Sequence, residues 1–449
     1  MRKFFAVLAA ALLLCSCTKI DSPVLISTTT TVTTTVTETI TTVEATTTAP
    51  PETTTVETTT TTAPETTTTT TVTTTTTAPP ETTTTQTTTT TIAPVTTVAA
   101  VTAPEIFETS YNTLNFPEQK GVWISYLEYD SMLKSKTKEQ FTANVDKAFD
   151  NIVSIGFNTV YIQLRAFGDA YYDSELFPAG DRSSNFDPLP IMIKSAHDRG
   201  LSVHGWINPM RLCLDTQMKD IPSDIVYKKW YNEKTNDIFK FDGRWYLNPD
   251  SDAAINLIVG GIAEIMGSYR VDGIQIDDYF YPDNAPTDAK VARINNLVKT
   301  INDTVHKANP DALFGISPQG NIENNYPLSA DVTEWCKGGY CDYIVPQVYF
   351  GFDNGYSPYL EMIAEWSEIS TDVKLIIGLA PYKIGLYDTY ASPGVNEWIE
   401  SSDMLARQVE AAKLLVNYGG VAMFRYDSLF NPAADVAEQV FVEISNLKK

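Results

Sequence analysis

Histidine and cysteine are scarce: the chain has three His and five Cys among 449 residues. No two histidines stand at metal-ligand spacing, so a His-based zinc site is not expected, and five cysteines are too few for a disulfide scaffold. Positive charge is also short, with 32 Lys+Arg against 55 Asp+Glu and a formal charge of −23. Residues 1–104 hold Arg2, Lys3 and Lys19 against seven acidic groups. That segment therefore carries −4, and −19 falls on residues 105–449. A field of that sign repels phosphate backbones and excludes nucleic acid as an expected partner. After residue 17 no apolar run reaches the ~18 residues needed to cross a bilayer. No Gly-x-Gly-x-x-Gly follows the first strand-like run to mark a nucleotide crevice, and no cofactor is expected.

What is present divides into three parts. Residues 1–17 read as an export signal, with Arg2 and Lys3 before the apolar stretch Phe4–Leu14. The stretch ends in Leu14-Cys15-Ser16-Cys17, which resembles a bacterial lipobox. In such signals the Cys after a small residue is diacylated, and Cys17 fits better than Cys15. The expected location is the outer face of the cell membrane, with the membrane as a partner through a lipid anchor at Cys17. Residues 18–104 are a Thr-rich linker in which Ala-Pro-(Pro)-Glu-Thr-Thr recurs at Ala49, Ala63 and Ala78. With no hydrophobic face to offset ordering entropy, this stretch is expected to be an extended stalk. Thr and Pro stiffen it.

Residues 105–449 have the size of one (β/α)8 TIM barrel, an α/β fold. Eight β-branched, aromatic or apolar runs are expected as strands. They span 121–126, 159–164, 202–208, 272–277, 313–317, 343–349, 374–379 and 420–425. Between them, stretches such as 141–155, 189–199, 252–269, 287–308 and 402–418 have helical spacing. Gly156, Gly200 and Gly419 stand where helices should end. Eight alternations imply a parallel sheet, and that number favours closure over an open doubly wound sheet.

Active sites in this fold lie at the carboxyl ends of the strands. Side-chain alternation places Gln163 and Arg165 of strand two on the inner face. It does the same for Trp206 and Asn208 of strand three, Asp277 of strand four, and Gln347 and Tyr349 of strand six. Arg211, Tyr279, Gln319 and Tyr382 follow strand ends nearby. Aromatic faces with amides, arginines and carboxylates suit a sugar ring and its hydroxyls. Glycosidic hydrolysis needs two carboxyl groups. Asp277 is expected as nucleophile or charge stabiliser. Asp278, Asp427 and Glu323 are candidates for the proton donor.

These segments also carry a resemblance. Asp272-Gly-Ile-Gln-Ile-Asp-Asp-Tyr-Phe-Tyr-Pro282 occurs with Gly121-Val-Trp123, Gly168-Asp-Ala170 and His204-Gly-Trp206-Ile-Asn-Pro209. Leu247-Asn-Pro249, Gly315-Ile-Ser-Pro318 and Pro346-Gln-Val-Tyr349 follow in order. Together they resemble the bacterial glycosyl-hydrolase-like family 10. The resemblance implies a TIM-like barrel, export and hydrolysis of O-glycosyl bonds. It suggests cell-wall glycan strands as the substrate. Strand four also resembles a chitinase signature, but Gln275 replaces its first inner Asp and Tyr279 stands where its catalytic Glu would be.

Plainer roles compete with several of these. Asp278 could cap a helix. Arg165 and Arg211 could neutralise buried acids, and Trp206 and Tyr349 could fill the barrel. His204, low on the inner face, is expected in the core, and His197 and His306 on helices. Cys336 and Cys341 could pair or stay free. Besides a surface-anchored glycoside hydrolase, the pattern allows an inactive barrel that binds glycan. A metal-dependent deacetylase is disfavoured by the missing His pairs.

Overall fold

The computed structural model describes residues 111–181 and 185–448. The expected signal, Cys17 and the Thr-rich stalk lie outside the described residues. Among the described residues there are eleven strands in two sheets. In chain order they are β1 (Gln119–Ile124), β2 (Thr159–Arg165), β3 (Ser202–Ile207), β4 (Arg211–Leu214), β5 (Ile238–Phe241), β6 (Arg244–Leu247), β7 (Gly273–Ile276), β8 (Leu313–Ile316), β9 (Tyr343–Ile344), β10 (Lys374–Leu379) and β11 (Tyr418–Met423). Eight of them close a parallel barrel in the order β1-β11-β10-β9-β8-β7-β3-β2. These are the eight runs expected from sequence, and the fold is a TIM barrel.

Helices separate the strands. Lys138–Ser154 begins with a capping box in which the Thr137 hydroxyl accepts from Gln140 N while Gln140 Oε1 accepts from Thr137 N. Its inner stripe is Phe141, Val145, Ala148, Phe149 and Ile152, all buried. It stops where Gly156 takes φ +77°, and Gly200 at φ +71° ends the next connection likewise. Gly419 differs from expectation. It lies inside β11, and the positive φ, +138°, belongs to Gly420.

Two strands are shorter than their apolar runs. β9 stops at Ile344, because Pro346 has no N–H to continue a ladder. Beyond it, Gln347 makes only isolated bridges to Gln319 and Gly378. β7 stops at Ile276, one residue before Asp277. The second sheet, β4-β6-β5, is antiparallel and is an insertion between β3 and β7 that was not expected from sequence.

The barrel interior is aromatic. Trp123, Tyr161, Trp206, Tyr343, Val345, Ile376 and Ala422 form one cluster, whereas Val160, Ile162, Leu164, Ile274 and Ile276 belong to the larger core outside the barrel. Glycine makes room for the rings. A Cβ on Gly121 would stand 2.3 Å from Tyr161, and one on Gly315 2.0 Å from Tyr343. At the amino end of the barrel the buried Asp272 carboxylate accepts from Leu114 N and Val203 N, both at 2.7 Å, and meets His197 Nε2 at 2.8 Å. His204 is buried there between the Tyr343 hydroxyl and Asn115 Oδ1, and burial lowers its pKa to about 4. It is the core residue expected. His306 pairs with Asp342, and Cys213, Cys336 and Cys341 are free thiols.

Candidate active site

Alternation along β7 sends Ile274 and Ile276 outward and Gln275 inward, and it aims the next residue, Asp277, into the barrel. Gln275 Oε1 accepts from Trp123 Nε1 at 2.7 Å, forming a buried floor. Above it, Asp277 Oδ2 accepts from Trp206 Nε1 at 3.0 Å. Asp277 is 3 % exposed, and its Oδ1 is buried without a hydrogen-bond partner among the described residues.

Because the strand has ended, Asp278 does not swing to the outer face. Its carboxylate accepts from the side-chain amides of Gln319, after β8, and Gln347, after β9. Gln347 Nε2 also donates to Ser317 O at 3.1 Å, which fixes that amide to the β8 end. Two adjacent aspartates thus enter one site from one strand end.

Their electrostatics differ. Burial, and then the charge of Asp278, hold the Asp277 carboxyl well above the usual carboxylate range. The Trp206 N–H and the Arg211 guanidinium oppose that rise. Burial raises Asp278 too, but a backbone bond and the Gln347 and Gln319 amides favour its ionised form. Two close carboxyls that differ in this way share protons as a pair, with Asp277 the better place for the proton.

Aromatic rings form one side. Tyr349 stacks on Phe424 with centroids 5.7 Å apart and planes at 29°. Tyr382 meets both edge-on, and Trp206 and Trp123 meet Phe424 at 6.3 and 5.9 Å. Burial raises the Tyr349 hydroxyl pKa, so it stays a neutral donor. On another side the Arg211 guanidinium lies over the Tyr279 ring at 4.3 Å.

Of the residues expected from sequence, Asp277, Asp278, Trp206, Gln319 and Gln347 come together by direct bonds, and Tyr349, Tyr382, Arg211 and Tyr279 border them. Four others do not join them, and for Arg165 the expected face is wrong. Arg165 does not face inward. A bulge between Gln163 and Arg165 breaks the alternation, so Arg165 pairs with Ile207 and lies over Phe177 at 3.6 Å, beside the helix Asp252–Ser268. Asn208 is buried, and its Oδ1 accepts from Arg211 N at 3.0 Å, closing the turn after β3. Glu323 is exposed on a 3-10 turn, and no hydrogen bond or ion pair among the described residues joins it to the aspartates. Asp427 is held by Arg425 at 3.5 Å and by Asn431 at 2.7 Å. Gln163 sits at the β2 end as expected, with its Oε1 accepting from Tyr126 N at 3.0 Å.

Sequence reasoning missed Phe424 and Glu128. Phe424 was findable, since it alternates with Ala422 on the inner face of the eighth run. Glu128, fully buried after β1, accepts from Ser125 N, Ser125 Oγ, Asp427 N and the Arg425 guanidinium. Burial raises its pKa, and Arg425 counters that. It ties the β1 and β11 ends together behind the aromatic side. Nothing local in sequence links residues 128 and 425. Among the described residues no three His, Cys, Asp or Glu side chains converge as a metal-holding group.

The model of the family described as glycosyl hydrolase-like 10 matches residues 118–291 and 283–392. Glycosyl hydrolase DigH of Escherichia coli (strain K12) is 26 % identical over 378 residues, covering 71 % of this chain and 85 % of that protein. Glycosyl hydrolase YngK of Bacillus subtilis (strain 168) is 29 % identical over 321 residues, covering 60 % of this chain and 61 % of that protein. A solved endo-1,4-beta-mannanase from Rhizomucor miehei has 11 % identity and a TM-score of 0.47, covering 76 % of this chain and 98 % of that one. The family match spans most of the barrel and includes both aspartates, so this chain belongs to the glycosyl hydrolase-like 10 family.

Proposed function

We propose that the protein is an exported, surface-anchored glycoside hydrolase that cleaves O-glycosyl bonds of a polysaccharide, with peptidoglycan glycan strands as the first candidate. The observation that carries this reading is the Asp277–Asp278 pair at the carboxyl end of β7, with a bare buried Oδ1 on Asp277 and amide donors on Asp278. Catalysis of this kind needs one carboxyl protonated and one ionised.

The environments support roles in reverse of the sequence expectation. Asp277, the more desolvated, donates its proton to the glycosidic oxygen as the C1–O bond breaks. Asp278, whose ionised form the Gln319 and Gln347 amides favour, stabilises the positive charge that develops at C1. A water oxygen then bonds to C1, and its released proton restores Asp277. Tyr349, Phe424 and Tyr382 offer faces for sugar rings.

The test is hydrolysis of peptide-free wall glycan and a polysaccharide panel by wild type and by Asp277→Asn and Asp278→Asn. Wild-type turnover with an acidic bell-shaped profile is expected. Its acid limb reports Asp278 and its alkaline limb Asp277. Binding without turnover would leave a glycan-binding barrel instead. The anchor is tested separately: Cys17→Ala is expected to move the protein from the membrane fraction to the medium.

A further inference from the structure

The insertion β4-β6-β5 brings a second arginine to the site. Arg211 opens β4, and Arg244 opens β6 on the paired antiparallel strand. Both guanidiniums lie over the Phe167 ring, at 4.9 and 5.3 Å from its centroid. Arg211 also covers Tyr279, the residue after the aspartate pair.

Two cations held this close repel each other. Burial, and then the neighbouring Arg211, push the Arg244 guanidinium below the usual arginine range. Yet among the described residues neither guanidinium makes an ion pair or a hydrogen bond. Arg211 is 8 % exposed, and its Nε is buried with no partner. Of the acids beside these strands, Asp215, after β4, is committed to Lys240 at 2.5 Å and Trp245 at 2.8 Å, and Asp242, in the turn before Arg244, makes no ion pair with either arginine among the described residues. If the aspartate pair keeps one proton, its single negative charge offsets Arg211, and Arg244 is left without an acid partner among the described residues. An otherwise acidic protein therefore keeps a local excess of positive charge beside its cleft.

We infer that Arg211 and Arg244 form a subsite for a carboxylate borne by a sugar of the substrate, so that the cleft takes an acidic glycan in preference to a neutral one. The inference rests on the reading of the cleft as a glycan site. Guanidinium forks match a carboxylate in two parallel bonds. The Phe167 and Tyr279 rings hold the forks in place and shield them from water, which strengthens such bonds. The insertion is thus a specificity element rather than a decoration of the barrel.

The experiment measures binding by calorimetry, using the full chain with Asp277→Asn so that the ligand is not turned over. The ligands are peptide-free wall glycan strands with intact carboxyl groups, and the same strands with those groups reduced to alcohols. The intact strands are expected to bind about tenfold more tightly, the size of one charge-assisted bidentate contact. Adding Arg244→Gln should bring the ratio of the two dissociation constants close to one, and Arg244→Lys should restore part of it. Thermal melting checks that the variants fold. Should Arg244→Gln not fold, the ratio in the parent is measured across salt concentrations, where it must fall as salt rises. Equal binding of both ligands, a ratio that ignores Arg244 or salt, or binding of neither ligand overturns the inference. Failure of hydrolysis alone, with the ratio intact, removes the catalytic reading and leaves this one standing.

Discussion

The β7 segment carries a buried aspartate at each end, and the two are opposites. Asp272, at the amino end, accepts from two backbone N–H groups and meets His197, so both of its oxygens are engaged. Asp277, five residues on, accepts from Trp206 on one oxygen, and its other oxygen is buried without a hydrogen-bond partner among the described residues. Burying a carboxyl without partners is unfavourable, so the fold tolerates at the carboxyl end what it corrects at the amino end. The difference separates a carboxylate that holds the barrel closed from one available for chemistry. Stability should depend on the first and turnover on the second.

The largest expected effect comes from the carboxyl end. Asp278→Asn should lower kcat by roughly 10³-fold or more, and Asp277→Asn by about 10²–10⁴-fold, as expected for loss of a stabilising carboxylate and of a general acid. Neither should lower the melting temperature, because an amide in place of either acid removes a buried ionisable group. Steady-state kinetics on a glycan that wild type cleaves, together with melting curves, check both. Activity within threefold of wild type in both variants would sink the assignment.

That asymmetry was partly legible in the sequence. Alternation placed Gln275, Asp277 and Trp206 inward because β7 and β3 are regular up to, or to the residue before, the position concerned; Gln347 lies past the end of β9 and keeps its place through isolated bridges to Gln319 and Gly378. Alternation failed at Arg165, where a bulge adds a residue, and such a bulge has no composition that marks it. Asp278 could not be placed by alternation, since its direction depends on where β7 stops. β7 stops at Ile276 with no Pro or Gly beside it to mark the stop, and the Asp278 carboxylate then meets Gln319 and Gln347. Arg211 could be named but not its partner Arg244, because their meeting depends on a three-stranded insertion of four-residue strands too short to show a period. Asp272 opens the motif that runs to Pro282, yet nothing local gives it a structural role. Its partners come from residues 114, 197 and 203.

The next effect in size is at the amino end. Asp272→Ala should cost about 3 kcal/mol, because it leaves the Leu114 and Val203 N–H groups buried without acceptors. Denaturant unfolding reads that loss, while kcat of the remaining folded protein should stay within about twofold of wild type. A variant that kept its stability but lost turnover would dissolve the distinction between the two ends.

A smaller effect separates the two aspartates by pH. Asp277's folded-state pKa is raised, so between the ordinary carboxylate value and the raised one the folded state binds more protons than the unfolded state. Its contribution is fully present below the ordinary value and is lost as pH rises through the raised one. One proton limits the slope to about 1.4 kcal/mol per pH unit. Asp277→Asn removes that dependence, so its stability advantage over wild type should grow as pH rises. Unfolding curves across pH check the sign, and an advantage that shrank with rising pH would contradict the raised pKa.

The smallest effect tests which aspartate holds the proton. Trp206 donates to Asp277 and so favours its ionised form. Trp206→Phe keeps a ring but removes the donor, and Asp277 should then hold its proton to higher pH. The alkaline limb of the activity profile should move up, with kcat at the optimum changed by less than about tenfold. Gln319→Leu removes a donor from Asp278 instead, so Asp278 should take up a proton at higher pH and the acid limb should move up. The two variants therefore act on opposite limbs of one bell. If Trp206→Phe shifted the acid limb and Gln319→Leu the alkaline one, the roles of the two aspartates would be exchanged while the pair itself stood.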